Sequence, residues 1–175
     1  MQSNFALSLA ALLKDEGGND DDPDDHGGRT SRGITQREWS AWLQLHPYPG
    51  APADVWDAPD GEIEALYEDH YWEPWCDKLP VGVDYLYFDF AVNAGPHRAT
   101  ITLQRAIGVA DDGVFGPITL LAATKADPKL LISAFSEAKR KFYRSLRQPK
   151  FLRGWLNRVD HVQDVALSML NEGTT

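Results

Sequence analysis

The sequence predicts a mainly α fold with at most a small β ribbon between residues 19 and 35, on three observations. Apolar side chains recur three and four residues apart through most of the chain. Gly and Pro interrupt that pattern at intervals suited to helix ends, and no stretch alternates apolar and polar residues convincingly enough for a half-buried strand. With 43% hydrophobic and 25% charged residues among 175, the chain holds enough material for one compact domain or two fused lobes.

Residues 3 to 16 place Phe5, Leu9, Leu12 and Leu13 on one stripe, and Gly17-Gly18 stops the helix. Glu16 continues the stripe, so its carboxyl is expected to point toward the buried side just where the chain breaks. Residues 17 to 33 are rich in Gly, Asp, Pro and Thr without apolar periodicity, which reads as a long irregular loop or short ribbon; loops of that length in compact domains usually serve function. Thr35-Gln-Arg-Glu38 is a capping box and opens a helix through Trp39, Trp42, Leu43 and Leu45 that ends before Pro47. Four prolines in residues 46 to 59 suggest a surface connection. From Asp60 a helix carries Ile63, Leu66, Tyr67, His70 and Tyr71, closed by Trp72 and Trp75. Residues 82 to 94 are apolar on most sides and stop at Gly95, the pattern of a central buried helix. A helix over 97 to 107 ends at Gly108, Asp111-Asp112-Gly113 makes a tight turn, and Gly116-Pro117 starts a short helix. Two long amphipathic helices, near 128 to 147 and 152 to 171, follow.

Charge and cysteine content narrow the chemistry. A net charge of -9 argues against a nucleic-acid role. The single cysteine, Cys76, allows no intramolecular disulfide and reads as a buried thiol, since no cysteine-protease signature surrounds it. The N-terminal apolar stretch lacks a basic leader and cleavage site, so the expectation is synthesis in the cytoplasm without a signal peptide, and no run is long enough for stable membrane insertion. Basic residues, among them Lys139, Arg140, Lys141, Arg144 and Arg158, crowd the C-terminal third; a solvated helix face is the first reading, and docking to an anionic envelope polymer the second.

Hydrolysis of a glycosidic bond needs one carboxylic acid still protonated near neutral pH and a second carboxylate across the sugar. Glu16 suits the first role, because the apolar stripe and the negative end of its helix both favour the neutral acid. For the second, Asp20, Asp21, Asp22, Asp24 and Asp25 compete, with Asp25 preferred on spacing; Thr30, Ser31 and Thr35 would shape the loop or hold water. The same aspartates imitate the start of a calcium loop, but Asp25 stands where glycine is required and Ser31 where a bidentate glutamate belongs. No metal and no organic cofactor is expected. Asp89 and Asn93, four apart on the apolar helix, fit a structural network and a cleft lining equally.

The stretch from Glu16-Gly17-Gly18 through Asp22-Pro23, Asp25, Gly27-Gly28 and Thr30 to Gly33-Ile34-Thr35 resembles glycoside hydrolase family 108, whose members show E-G-G-Y, D-P, D-x-G-G-x-T and G-I-T in that order. Asn19 replaces the usual tyrosine and His26 a common proline. The likeness continues in Tyr71-Trp72, Leu79-Pro80 and Phe88 to Gly95, then in Gln104 to Gly108 and Asp112 to Thr119, which resemble the peptidoglycan-binding region attached to that family.

The resemblance implies a lysozyme-like helical domain. Residues 1–86 would form the catalytic region and residues 87–175 the peptidoglycan-binding helical region, packed into one globular unit. It also implies an endolysin-type muramidase that hydrolyses the β-1,4 bond between N-acetylmuramic acid and N-acetylglucosamine. Glu16 would be catalytic acid and Asp25 its partner, with Thr30, Ser31, Thr35 and Asn93 binding substrate. Such a protein would be a monomer with peptidoglycan as its partner, reaching the wall through a holin-type release. The alternatives are a noncatalytic wall-binding module, or a lytic transglycosylase or chitinase on the same fold.

Overall fold

A computed structural model describes residues 4–15 and 29–172. Among them are eight α-helices, short 3-10 and π-helical turns, and one two-stranded antiparallel sheet, so the fold is mainly α. The chain divides into two compact units, Ala6–His70, and Met1–Phe5 together with Tyr71–Thr175.

In the Ala6–His70 unit, helix α1 (Phe5–Asp15) buries Ser8, Leu9 and Leu12, close to the expected stripe, while Leu7 stays exposed. Strands β1 (Thr30–Ser31) and β2 (Ile34–Thr35) pair with Ser31 opposite Ile34, leaving a two-residue loop. Arg32 and Gly33 both take positive φ, 51° and 81°, the backbone twist a two-residue hairpin turn requires; glycine adopts it without steric cost. The ribbon therefore forms where the sequence places it. Helix α2 (Gln36–Leu45) starts at Thr35, whose hydroxyl accepts from the Glu38 amide while the Glu38 carboxylate accepts from the Thr35 amide, the expected capping box. Helix α3 (Asp60–Tyr67) runs on into a π-helical turn, Glu68–Trp72.

The segment 46 to 59 is more than the surface connection expected of it. Val55, in a 3-10 turn over Val55–Asp57, is fully buried with Trp39, Ile34, Ile63 and Tyr67 also in the interior. The reason is hydrogen bonding: a proline-rich stretch leaves carbonyls without helical partners, and α2 satisfies them. Trp39 donates to the Pro52 carbonyl at 2.9 Å, and the Gln36 amide donates to the Ala53 carbonyl at 2.8 Å while accepting from Val55 N at 2.9 Å.

In the other unit, helix α4 (Val83–Ala94) is buried from Val83 to Ala91, as its all-round apolar sequence predicts. Helices α5 (Pro96–Ile107), α7 (Pro128–Ser145) and α8 (Pro149–Glu172) pack against it and α7 against both its neighbours. Phe90 meets Phe135, Phe142 and Tyr143 edge-on at centroid distances of 5.6 to 6.2 Å. Helix α6 (Pro117–Lys125) follows the Asp111-Asp112-Gly113 turn, which buried Gln104 holds: its amide donates to the Asp112 carboxylate and to Thr119, and accepts from Gly113 N. Cys76 is fully buried, and burial, with Asp84, Asp77 and Glu73 adding, pushes its thiol well above the ordinary range. That makes it an inert core residue.

Two members of the basic C-terminal cluster are not on a solvated face. Lys139 and Asp89 are each 1% exposed, with Lys139 Nζ 2.8 Å from Asp89 Oδ2. Arg158 donates through Nε and a terminal nitrogen to Asp89 Oδ1 at 3.0 and 2.8 Å. One carboxylate thus ties α4, α7 and α8 together. Burial alone would raise the Asp89 carboxyl, but the charges of Lys139 and Arg158 outweigh it and hold it below its ordinary value. This settles the open question at Asp89 in favour of the structural network.

Candidate active site

Glu16 and Asp25, the two expected carboxylates, lie outside the described residues, as do the other loop aspartates. The described chain meets that stretch at both ends. On one side α1 runs to Asp15, the residue before Glu16. On the other, Arg29 enters the hairpin that carries Thr30, Ser31 and Thr35.

The hairpin is fastened by long-range contacts that spacing in the sequence does not announce. Arg29 forms an ion pair with Asp54 and lies 3.8 Å over the ring of Trp56, whose indole N–H donates to the Thr30 carbonyl at 2.9 Å. Arg32 pairs with Asp60 and donates to the Ala58 carbonyl at 2.7 Å. The Tyr67 hydroxyl donates to the Arg32 carbonyl at 2.7 Å. Arg29, just before the ribbon, and Arg32, in its turn, are thereby clamped onto the 54 to 60 segment. The sequence contained a signal for this in the acids crowding residues 54 to 73, but their partners are 25 and 28 residues away.

Each expected substrate-binding residue now has a position. Ser31 is 1% exposed and its hydroxyl accepts from Arg32 Nε at 3.2 Å. Thr30 is half-buried at the start of β1. The Thr35 hydroxyl is engaged in the α2 cap and also donates to Glu38 Oε2 at 2.7 Å. Thr30, Ser31 and Thr35 therefore share one ribbon. Asn93 belongs to the other unit, on the last turn of α4, where its amide donates to the Asp89 carbonyl at 2.7 Å.

Comparison with known proteins bears on what this site does. The family model described as Glycosyl hydrolase 108 matches residues 9–95, a span that includes Glu16, Asp25, the ribbon and Asn93. A second model, Predicted Peptidoglycan domain, matches residues 98–160. The solved structure of Brucella abortus SagA is 33% identical, superposes with a TM-score of 0.83, and aligns over 97% of each chain. None of the curated proteins with which the sequence was compared matches it. The mainly α, lysozyme-like fold and the two consecutive models make this a glycoside hydrolase that acts on peptidoglycan. The chain belongs to the glycosyl hydrolase 108 family, with a peptidoglycan domain after the hydrolase segment.

Proposed function

We propose that the chain is a muramidase, hydrolysing the β-1,4 bond between N-acetylmuramic acid and N-acetylglucosamine, with Glu16 as its catalytic acid. The observation that carries this reading is the position of Glu16: it follows α1 directly, four residues after fully buried Leu12, inside the segment matched by the hydrolase model. A catalytic acid must keep its proton near neutral pH, and desolvation beside an apolar face is what raises a carboxyl far enough to do so. Glu16 would protonate the leaving glycosidic oxygen, and Asp25 would stabilise the developing sugar cation or activate water. Thr30 and Thr35, on the ribbon just after the loop, are the substrate or water contacts of choice, with buried Ser31 shaping the ribbon and Asn93, exposed on the last turn of α4, as a further contact.

We assign the catalytic region to residues 1–86 and the wall-binding region to 87–175, and an endolysin-type role in which the wall is reached after holin-type release. Among the described residues no helix is long and apolar enough to cross a membrane.

The test is Glu16→Gln, which keeps shape and removes the proton. Clearing of purified peptidoglycan should fall by roughly 10²- to 10⁴-fold at unchanged circular dichroism. Equal clearing by both proteins would overturn the assignment. Mass spectrometry of the fragments should show reducing muramic ends; anhydro-muramic ends would make the protein a lytic transglycosylase. Asn substitutions at the five loop aspartates should single out Asp25, and the anomer first released reports the carboxyl separation: about 5 Å for retention, roughly 6.5–9.5 Å for inversion.

A further inference from the structure

Helices α5 and α7 lie side by side with an open groove of about 730 Å³ between them, within the range of small-ligand sites. Small side chains create it: Thr102 and Ala106 on α5 face Ala134 and Ala138 on α7. The groove is cationic on a chain whose net charge is -9. Arg98, Arg105 and Lys141 line it, against one lining carboxylate, Glu137. Glu137 is already approached by Arg140 and Arg144 at 3.7 and 3.8 Å, and Arg105 is paired with Asp111 at 2.7 Å. Arg98 and Lys141 have no carboxylate within ion-pair distance among the described residues; Arg98 rests 5.1 Å over the Phe142 ring.

We propose that the α5–α7 groove is the docking site for the carboxylate-bearing stem peptide of peptidoglycan, with Arg98 and Lys141 as its anion contacts. The inference rests on peptidoglycan being the substrate, and the charge decides which part of it is read. The glycan strand is uncharged, because the lactyl carboxyl of muramic acid is consumed in the amide to the stem, whereas the stem carries free carboxylates. Two cations in a groove, without a carboxylate partner among the described residues, select the peptide over the sugar. Binding there would hold the chain on the polymer while the segment 9–95 meets the glycan.

The test is co-sedimentation of the Glu16→Gln protein with sacculi of a Gram-negative bacterium, which carry no teichoic acid. Binding should weaken as salt rises, and an excess of free stem tetrapeptide should displace the protein from sacculi about tenfold more effectively than the same excess of an uncharged N-acetylglucosamine oligosaccharide. Arg98→Glu/Lys141→Glu should weaken binding to intact sacculi about tenfold, and so should Ala134→Glu, an exposed helix position where a carboxylate repels the ligand without disturbing the core. A free stem tetrapeptide should bind the parent in calorimetry and not the double variant. Failure of the free tetrapeptide to displace the protein, or unchanged binding by both folded variants, would overturn the proposal. Unmodified protein that cleaves walls while binding ignores the stems removes this inference alone; stem-dependent binding without cleavage removes the muramidase reading and leaves this one standing.

Discussion

Asp89 carries two cations in a place where water cannot help it, and removing its charge therefore exposes more than a lost contact. Asp89→Ala would strand Lys139, itself 1% exposed, without its counter-charge. Breaking a buried pair from one side typically costs about 3–5 kcal/mol. Urea titration should show a loss of that size, and a loss under about 1 kcal/mol would mean that Lys139 finds water or another partner. Thr35 is a second residue whose surroundings define a test. Its hydroxyl caps α2, so Thr35→Ala should cost about 1 kcal/mol and Thr35→Ser should recover most of it. If turnover by the folded Ala variant falls far beyond what the stability loss explains, the hydroxyl contacts substrate as well.

Among elements, the junction before α4 depends on a close approach of two backbones. Gly82 has φ of +83°, and a Cβ there would sit 2.4 Å from the Ala166 carbonyl oxygen on α8. Neither the torsion nor the space tolerates a side chain. Gly82→Ala should lower stability by about 2 kcal/mol or more, combining the torsional cost of roughly 1–2 kcal/mol with displacement of α8, and calorimetric melting would show it. Gly113 shares the positive torsion, φ +74°, but an added Cβ there meets only the ring of exposed His97, a side chain that can move aside. In the hairpin, Gly33 takes φ 81°, the torsion its turn requires.

For the molecule as a whole, two buried carboxyls of α4 respond to pH in opposite senses. Burial raises Asp84 to about 6 from 3.8, only partly offset by hydrogen bonds from Tyr85 N and Asn4. Between those values the folded chain holds a proton that the unfolded chain has lost, so stability is greatest at the acid end and declines as pH rises through about 6. The whole excursion is about 3 kcal/mol. Asp89 contributes the other way: its depressed carboxyl supports the fold above the ordinary carboxylate range, and that support is lost as pH falls through its folded value. Asp84→Asn should flatten the stability profile between pH 4 and 7 and leave the protein more stable at pH 7, measured by urea unfolding at each pH. An unchanged slope would show that Asp84 ionises in contact with water.

Local chemistry determined much by itself. The capping box at Thr35, the ribbon turning at Gly33, the buried helix before Gly95 and the turn after Gly108 are readable because each depends on neighbours within a few residues. The family was legible too, since the glycines and acids from Glu16 to Thr35 keep a fixed order. Tertiary structure alone decided what joins distant residues: that Asp54 and Asp60 clamp the arginines of the ribbon, that Val55 in a proline-rich stretch enters the core, and that Lys139 and Arg158 serve Asp89 rather than solvent. The physical reason is that ion pairing and burial act through space, and a charge in the sequence carries no mark of whether folding will leave water or a partner beside it.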